Sequence, residues 1–88
     1  MTEYDVRWDF KRGDVIAKLE GTTKWVVTGY GEFHGMSGLK WHTYHTQRLN
    51  EQGRLGEWSS MVYEFCRDNC IKIGEWDFKN GREIDDVE

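Results

Sequence analysis

The chain has no proline and only two cysteines among its 88 residues. Without proline, nothing fixes a kink, a polyproline segment or a stiff interdomain linker. No window holds 18 consecutive apolar residues, so no membrane-spanning helix is expected. The start, Met1-Thr2-Glu3-Tyr4-Asp5, lacks the basic-then-apolar order of a secretory signal. A cytoplasmic location is the expectation. Cys66 and Cys70 are four apart, too widely set along a helix face for an unstrained bridge, and read as free, buried thiols in a reducing compartment. A basic stripe is missing as well. The one adjacent basic pair is Lys11-Arg12, so a duplex nucleic-acid partner is not expected, because that binding rests on cations replacing counterions along the phosphates.

The net charge of −4 comes from 12 basic and 16 acidic residues, and Glu83, Asp85, Asp86 and Glu88 supply the whole excess. Residues 85–88 read as a solvated acidic tail, with a docking tail for a basic partner as the alternative. The length suits a single domain spanning 1–88, too small for a two-domain enzyme, a full dinucleotide-binding fold or an eightfold β/α barrel. What the chain does have is aromatic residues: five Trp, four Tyr and four Phe, enough for an aromatic rather than aliphatic core.

Residues 4–11 alternate, with Tyr4, Val6, Trp8 and Phe10 apolar and Asp5, Arg7, Asp9 and Lys11 charged, the period of a half-buried strand. Val15-Ile16-Ala17-Lys18-Leu19 reads as a second strand and Lys24-Trp25-Val26-Val27-Thr28-Gly29-Tyr30 as a third. A glycine-rich loop over 29–38 follows, then a strand over 39–46. Trp58, Met61, Val62, Phe65, Cys66, Cys70 and Ile73 recur at helical spacing. The favoured reading is a short helix or helical turn near 63–69, since Ser59, Ser60, Val62, Asp68 and Asn69 are weak helix formers; a competing reading makes 57–63 a fifth strand, then a helical turn over 64–69 and a short strand over 71–73. A packed helix over 59–72 is the α+β alternative. At the C-terminus, Asn80-Gly81 between two alternating runs predicts a hairpin over 75–85 with a type I′ turn. Trp8-Asp9-Phe10-Lys11-Arg12-Gly13 matches Trp76-Asp77-Phe78-Lys79-Asn80-Gly81 at five of six positions. The match reads as two similar amphipathic strands, or as terminal units that pair with each other or across a homodimer.

Four constellations bear on chemistry. His42-x-x-His45 with Cys66-x-x-x-Cys70 gives a zinc-ligand inventory, but residues three apart on a strand point to opposite faces. Ordinary core thiols and surface imidazoles are the alternative, and no cofactor is expected. Cys66 or Cys70 as a nucleophile lacks the electropositive setting a thiolate needs, with Glu64 and Asp68 close by. The 29–38 loop places Tyr30, Phe33, His34 and Met36 where burial is least assured, so these four are the candidate partner-binding residues; a plain mobile hairpin loop is the alternative. Surplus tryptophan is the fourth. If Trp25, Trp41 and Trp58 share inner faces, Trp8 and Trp76 fall to the rim, where stacking on single-stranded bases or contact with a protein partner becomes available.

Phe10-Lys11-Arg12-Gly13-Asp14-Val15-Ile16, followed by Lys24-Trp25-Val26-Val27-Thr28-Gly29-Tyr30, resembles the opening of bacterial and phage small barrels of the Src homology 3-like, Tudor-like type. The resemblance covers residues 10–73 and implies short antiparallel strands closed by a helical turn and a short strand, for which 65–73 is suited. It implies function through loop surfaces that bind peptides, proteins or nucleic acid. The chain departs from it by adding the strand over 4–10 and the hairpin over 76–84. The small size and lack of catalytic motifs also resemble phage accessory proteins that bind a host factor. The expectation is therefore a mainly β domain, a small antiparallel barrel or strongly bent sheet of five to seven strands. Its expected role is non-enzymatic, by protein–protein contact, as a monomer or as a homodimer through terminal strands. Nucleic-acid or nucleotide binding by aromatic stacking, and a zinc-stabilised module, are the alternatives.

Overall fold

The structure, a computed structural model, describes residues 9–84. Most of the expected strand over 4–11, the start of the Trp-Asp-Phe-Lys repeat at Trp8 and the acidic tail over 85–88 lie outside the described residues. Within them the protein is mainly β, with six strands and one short helix. In chain order these are β1 (Asp14–Lys18), β2 (Lys24–His34), β3 (Lys40–Leu49), β4 (Leu55–Val62), α1 (Tyr63–Asn69), β5 (Cys70–Asp77) and β6 (Arg82–Ile84). All six form one antiparallel sheet in the order β4-β3-β2-β1-β5-β6. The first four strands run as a meander. The chain then turns through α1 and brings β5 back against β1.

β1 and the part of β2 beside it are apolar on both faces, and both faces are covered. Val15 pairs with Val26 and Ile16 with Trp25, so successive residues point to opposite sides. On one side Ile16, Val27, Tyr44, Phe10, Cys66 and Cys70 form a buried cluster, flanked by Trp25, Met61 and Tyr63, with α1 on top. On the other, Val15, Val26, Leu49 and Trp76 form a second cluster with Leu55 beside it. The sheet curls around this second face. β2 and β6 are three places apart in the strand order, about 14 Å in a flat sheet, yet Lys24 Nζ reaches Glu83 Oε1 at 3.5 Å.

Several expectations are corrected. The favoured short helix near 63–69 is present as α1, and it is the alternative helix over 59–72 that fails, because residues 55–62 and 70–77 are strands. α1 has no side-chain N-cap bond, and Cys70, already extended, ends it by donating its backbone N–H to the Cys66 carbonyl. A seven-residue helix is marginal alone; burial of Cys66 in the cluster holds it. Of the residues whose helical spacing puts them on the face of the thiols, Met61 packs against the buried cluster, whereas Phe65 and Ile73 are exposed. The 29–38 loop is largely strand, since β2 runs to His34. Trp25 packs against the core as expected, but Trp76 lies in the core while Trp41 and Trp58 face outward, opposite to their expected places, and Trp8 lies outside the described residues. Alternation tells which residues share a face, not which face is covered.

The C-terminal hairpin forms, but not with a type I′ turn. Asp77 pairs with Arg82, leaving four residues between the strands. Gly81 has φ +68° and no non-glycine residue described has positive φ, so Asn80 is not left-handed. Asp77 organises the turn. Its carboxylate accepts from Lys79 N at 2.9 Å, Asn80 N at 3.2 Å and Asn80 Nδ2 at 2.6 Å.

Candidate docking surface

The β2–β3 hairpin outruns its neighbours. β1 pairs with β2 only up to Val26, and β4 reaches β3 only as far as Thr43. Residues 32–34 and 40–42 therefore form a two-stranded arm, closed by a turn in which the Gly35 N–H donates to the Leu39 carbonyl. An arm with no third strand exposes both faces, so its side chains decide what each face presents.

Phe33 pairs directly with Trp41, Gly31 with Thr43 and Gly29 with His45, so these six share one face. The Phe33 and Trp41 rings lie with centroids 5.4 Å apart, and they remain 56% and 36% exposed. The strip continues along β3 and β4, where the His45 imidazole is 5.5 Å from the Trp58 ring and Trp58 is 60% exposed. Two glycines make room for these rings. A Cβ at Gly35 would meet the Trp41 ring at 2.8 Å, and one at Gly31 would collide with the His45 imidazole. Register and period place no Lys, Arg, Asp or Glu on this face between Phe33 and Trp58.

The other face of the arm is polar. Glu32 lies 3.4 Å from His34 Nε2 and 3.9 Å from Lys40 Nζ. Towards the sheet this face becomes the helix-covered core. There the Tyr30 hydroxyl donates to the Phe10 carbonyl at 3.0 Å, and the Phe10 N–H donates to the Tyr44 hydroxyl at 3.2 Å.

The four residues singled out from sequence are thus not brought together. Phe33 sits on the aromatic strip, Tyr30 and His34 on the opposite face, and Met36 stands fully exposed at the turn. Tyr30 is tied to the core by its hydroxyl bond and by its ring, 5.9 Å from Tyr44. Trp41, His45, Trp58 and the exposed Leu39 were missed. Their signal was the alternation Trp41-Thr43-His45 opposite a strand whose positions on the same face, Gly29 and Gly31, carry no side chain.

The zinc inventory is not assembled either. His42 and His45 point to opposite faces of β3, and Cys66 and Cys70 lie in the helix-side core. Among the described residues, no three His, Cys, Asp or Glu side chains are grouped to hold a metal. Burial pushes the Cys66 thiol up to about 12, with Cys70 beside it adding to the effect. Burial also raises Cys70. Neither forms the thiolate a nucleophile needs near neutral pH. A surface depression of about 390 Å³ lies between the β1–β2 and β3–β4 turns against Thr22, Thr23, Arg48, Asn50 and Glu57. Among the described residues no helix is long and apolar enough to cross a membrane. Scans against protein-family models, curated proteins and solved structures find no match to this chain.

Proposed function

We propose that the protein is a non-enzymatic cytoplasmic binding module that docks a protein partner through the Phe33–Trp41 end of the aromatic strip. One observation carries the reading: the arm turns its aromatic face to solvent and carries its charges on the opposite face. An arm built only to be soluble would carry polar side chains on both of its exposed faces. Rings of this size, ordered across a hairpin by glycine floors, suit the aromatic anchors that dominate protein interfaces. Met36 and Leu39 at the tip extend the apolar area. The Src homology 3-like relationship, which rests on the residues over 10–30 that resemble the opening of such barrels, is carried as part of this proposal. A phage accessory role directed at a host factor remains part of this proposal.

Stacking of single-stranded bases is the second reading, and the exposed rings favour it in part. The strip lacks the cations that hold a phosphate backbone, which favours the protein partner. The test compares immobilised wild-type protein with Phe33→Ala, Trp41→Ala and His34→Ala for capture of the same partner from host extract. The first two variants are expected to lose capture, and His34→Ala to keep it. Equal capture by wild type, Phe33→Ala and Trp41→Ala overturns the docking site. Retention on single-stranded DNA that weakens steeply with salt would instead support base stacking.

A further inference from the structure

The sheet ends in two unlike edges. β6 has three residues, two of them charged, Arg82 and Glu83, the short charged form that discourages pairing. β4 has eight, of which only Glu57 is charged, and among the described residues it pairs with β3 alone. Its last five, Trp58-Ser59-Ser60-Met61-Val62, hold no charge, proline or glycine. A long, uncharged edge presents a row of backbone donors and acceptors that templates another strand. From this edge we propose that the chain forms a two-fold homodimer in which β4 pairs antiparallel with β4 of a second copy, centred on Ser60. The proposal goes beyond the docking reading and does not depend on it.

The side chains select a second copy as the occupant. A two-fold antiparallel pair must set residues of one face opposite residues of the same face. Centring on Ser60 does so. Trp58 then faces Val62 of the second copy, an aromatic against a β-branched residue, which is a favourable cross-strand pair. Ser59 faces Met61, and the small Ser60 meets its own copy at the axis. Glu57 falls outside the five paired positions, so no like charges meet within them. Centring on Ser59 would instead set Trp58 beside a serine and Met61 beside Glu57. Val62 is exposed like Trp58, so both have surface to lose. β6 offers no such self-match, which moves the homodimer away from the terminal strands where the sequence pointed. Five paired residues a side belong to the small interface class, below about 1,200 Å² in total. The dimer is therefore expected at micromolar concentration.

Sedimentation equilibrium on the full chain, from about 1 to about 300 µM, tests the proposal. The mass is expected to rise from 10.5 kDa towards twice that value. Added salt is expected to keep or strengthen the dimer, because each copy carries −4 and screening relieves their repulsion. Ser60→Lys sets two ammonium groups at the axis and is expected to weaken dimerisation by at least about tenfold with an unchanged circular dichroism spectrum. Ser60→Cys is expected to cross-link two chains on mild oxidation while the buried Cys66 and Cys70 stay reduced. The single-chain mass at every concentration overturns the proposal. So does a Ser60→Lys protein as dimeric as wild type, or a Ser60→Cys protein that does not cross-link. Phe33→Ala and Trp41→Ala are expected to dimerise normally, so failure of the docking reading and failure of the dimer are read separately.

Discussion

The imidazole of His45 occupies the space that a side chain at Gly31, on the neighbouring strand, would fill. The contact links the two ends of the strip, because the same ring sits against Trp58 on the other side. Gly31→Ala must displace His45, and with it the support beneath Trp58. The expected cost is about 1–3 kcal/mol, the usual range for overpacking. Urea melts of the single and double variants check it: His45→Ala in the Gly31→Ala background is expected to restore much of the loss. If Gly31→Ala alone is neutral, the imidazole has room to move and is not fixed by the glycine.

Phe33→Ala separates stability from recognition. The ring has one aromatic neighbour across the strand pair and more than half of its surface in water. Removing it is expected to cost no more than about 1 kcal/mol of stability, the scale of a cross-strand pair. Partner affinity is expected to fall by about 2 kcal/mol or more, as for an interface anchor. A melting temperature lowered by many degrees with normal binding would place Phe33 in the core and end its role in docking.

Much of the fold was legible because strands advertise themselves by alternation. Val15 and Ile16 against Val26 and Val27 gave two apolar strands, and Trp76-Asp77-Phe78 with Asn80-Gly81 gave a hairpin. Legibility failed where side chains were missing or coincidental. Gly29 and Gly31 erase the apolar period of β2, so a strand read as a loop, and the rings that these two and the turn residue Gly35 make room for lie on the partner strand. The spacing from Trp58 to Ile73 imitates a helix because two strands flank a single helical turn. The outward placement of Trp41 and Trp58 depends on how β4 and the arm end relative to their neighbours, which is a property of register and not of local composition.

The buried thiol and phenol predict an alkaline limit to stability. Burial raises Tyr44 from its ordinary 10.0 to about 12 and Cys66 from 9.0 to about 12. The unfolded chain releases these protons first, so it is favoured as pH climbs. Their contribution is fully present below about pH 9 and is lost progressively between pH 9 and about 12. Urea denaturation at pH 7, 9, 10 and 11 is expected to show that decline. Cys66→Ala is expected to flatten the part between pH 9 and 10 while lowering stability at pH 7 through its cavity. An unchanged slope in that variant would assign the alkaline limit to other groups.

Removal of the Tyr44 hydroxyl tests the tie between Phe10 and the sheet. The Tyr44 oxygen accepts the buried Phe10 N–H, and Tyr30 holds the Phe10 carbonyl from the other side. Tyr44→Phe leaves a buried donor without its acceptor, at an expected cost of about 1–3 kcal/mol. Tyr30→Phe frees a carbonyl nearer to solvent and is expected to cost less. Equilibrium melts that rank the two in the opposite order would move the anchor from Tyr44 to Tyr30.

Asp77 is expected to govern the last strand locally. Its carboxylate gathers three N–H groups of the β5–β6 turn, and the bond from the Asn80 side chain leads in holding its pKa below the ordinary 3.8. A depressed carboxylate adds stability above its ordinary value and loses it as pH falls below that value. Protonation at low pH and Asp77→Asn at neutral pH therefore act alike, by weakening the turn. Amide hydrogen exchange is the fitting measurement, since opening of a three-residue edge strand need not unfold the chain. Asp77→Asn is expected to speed exchange of Arg82, Glu83 and Ile84 while Val15, Val26 and Val27 stay protected. β6 has a second tether in the Lys24–Glu83 contact. Unchanged exchange in Asp77→Asn that rises in Lys24→Ala would show that this contact, and not the turn, holds β6 to the sheet.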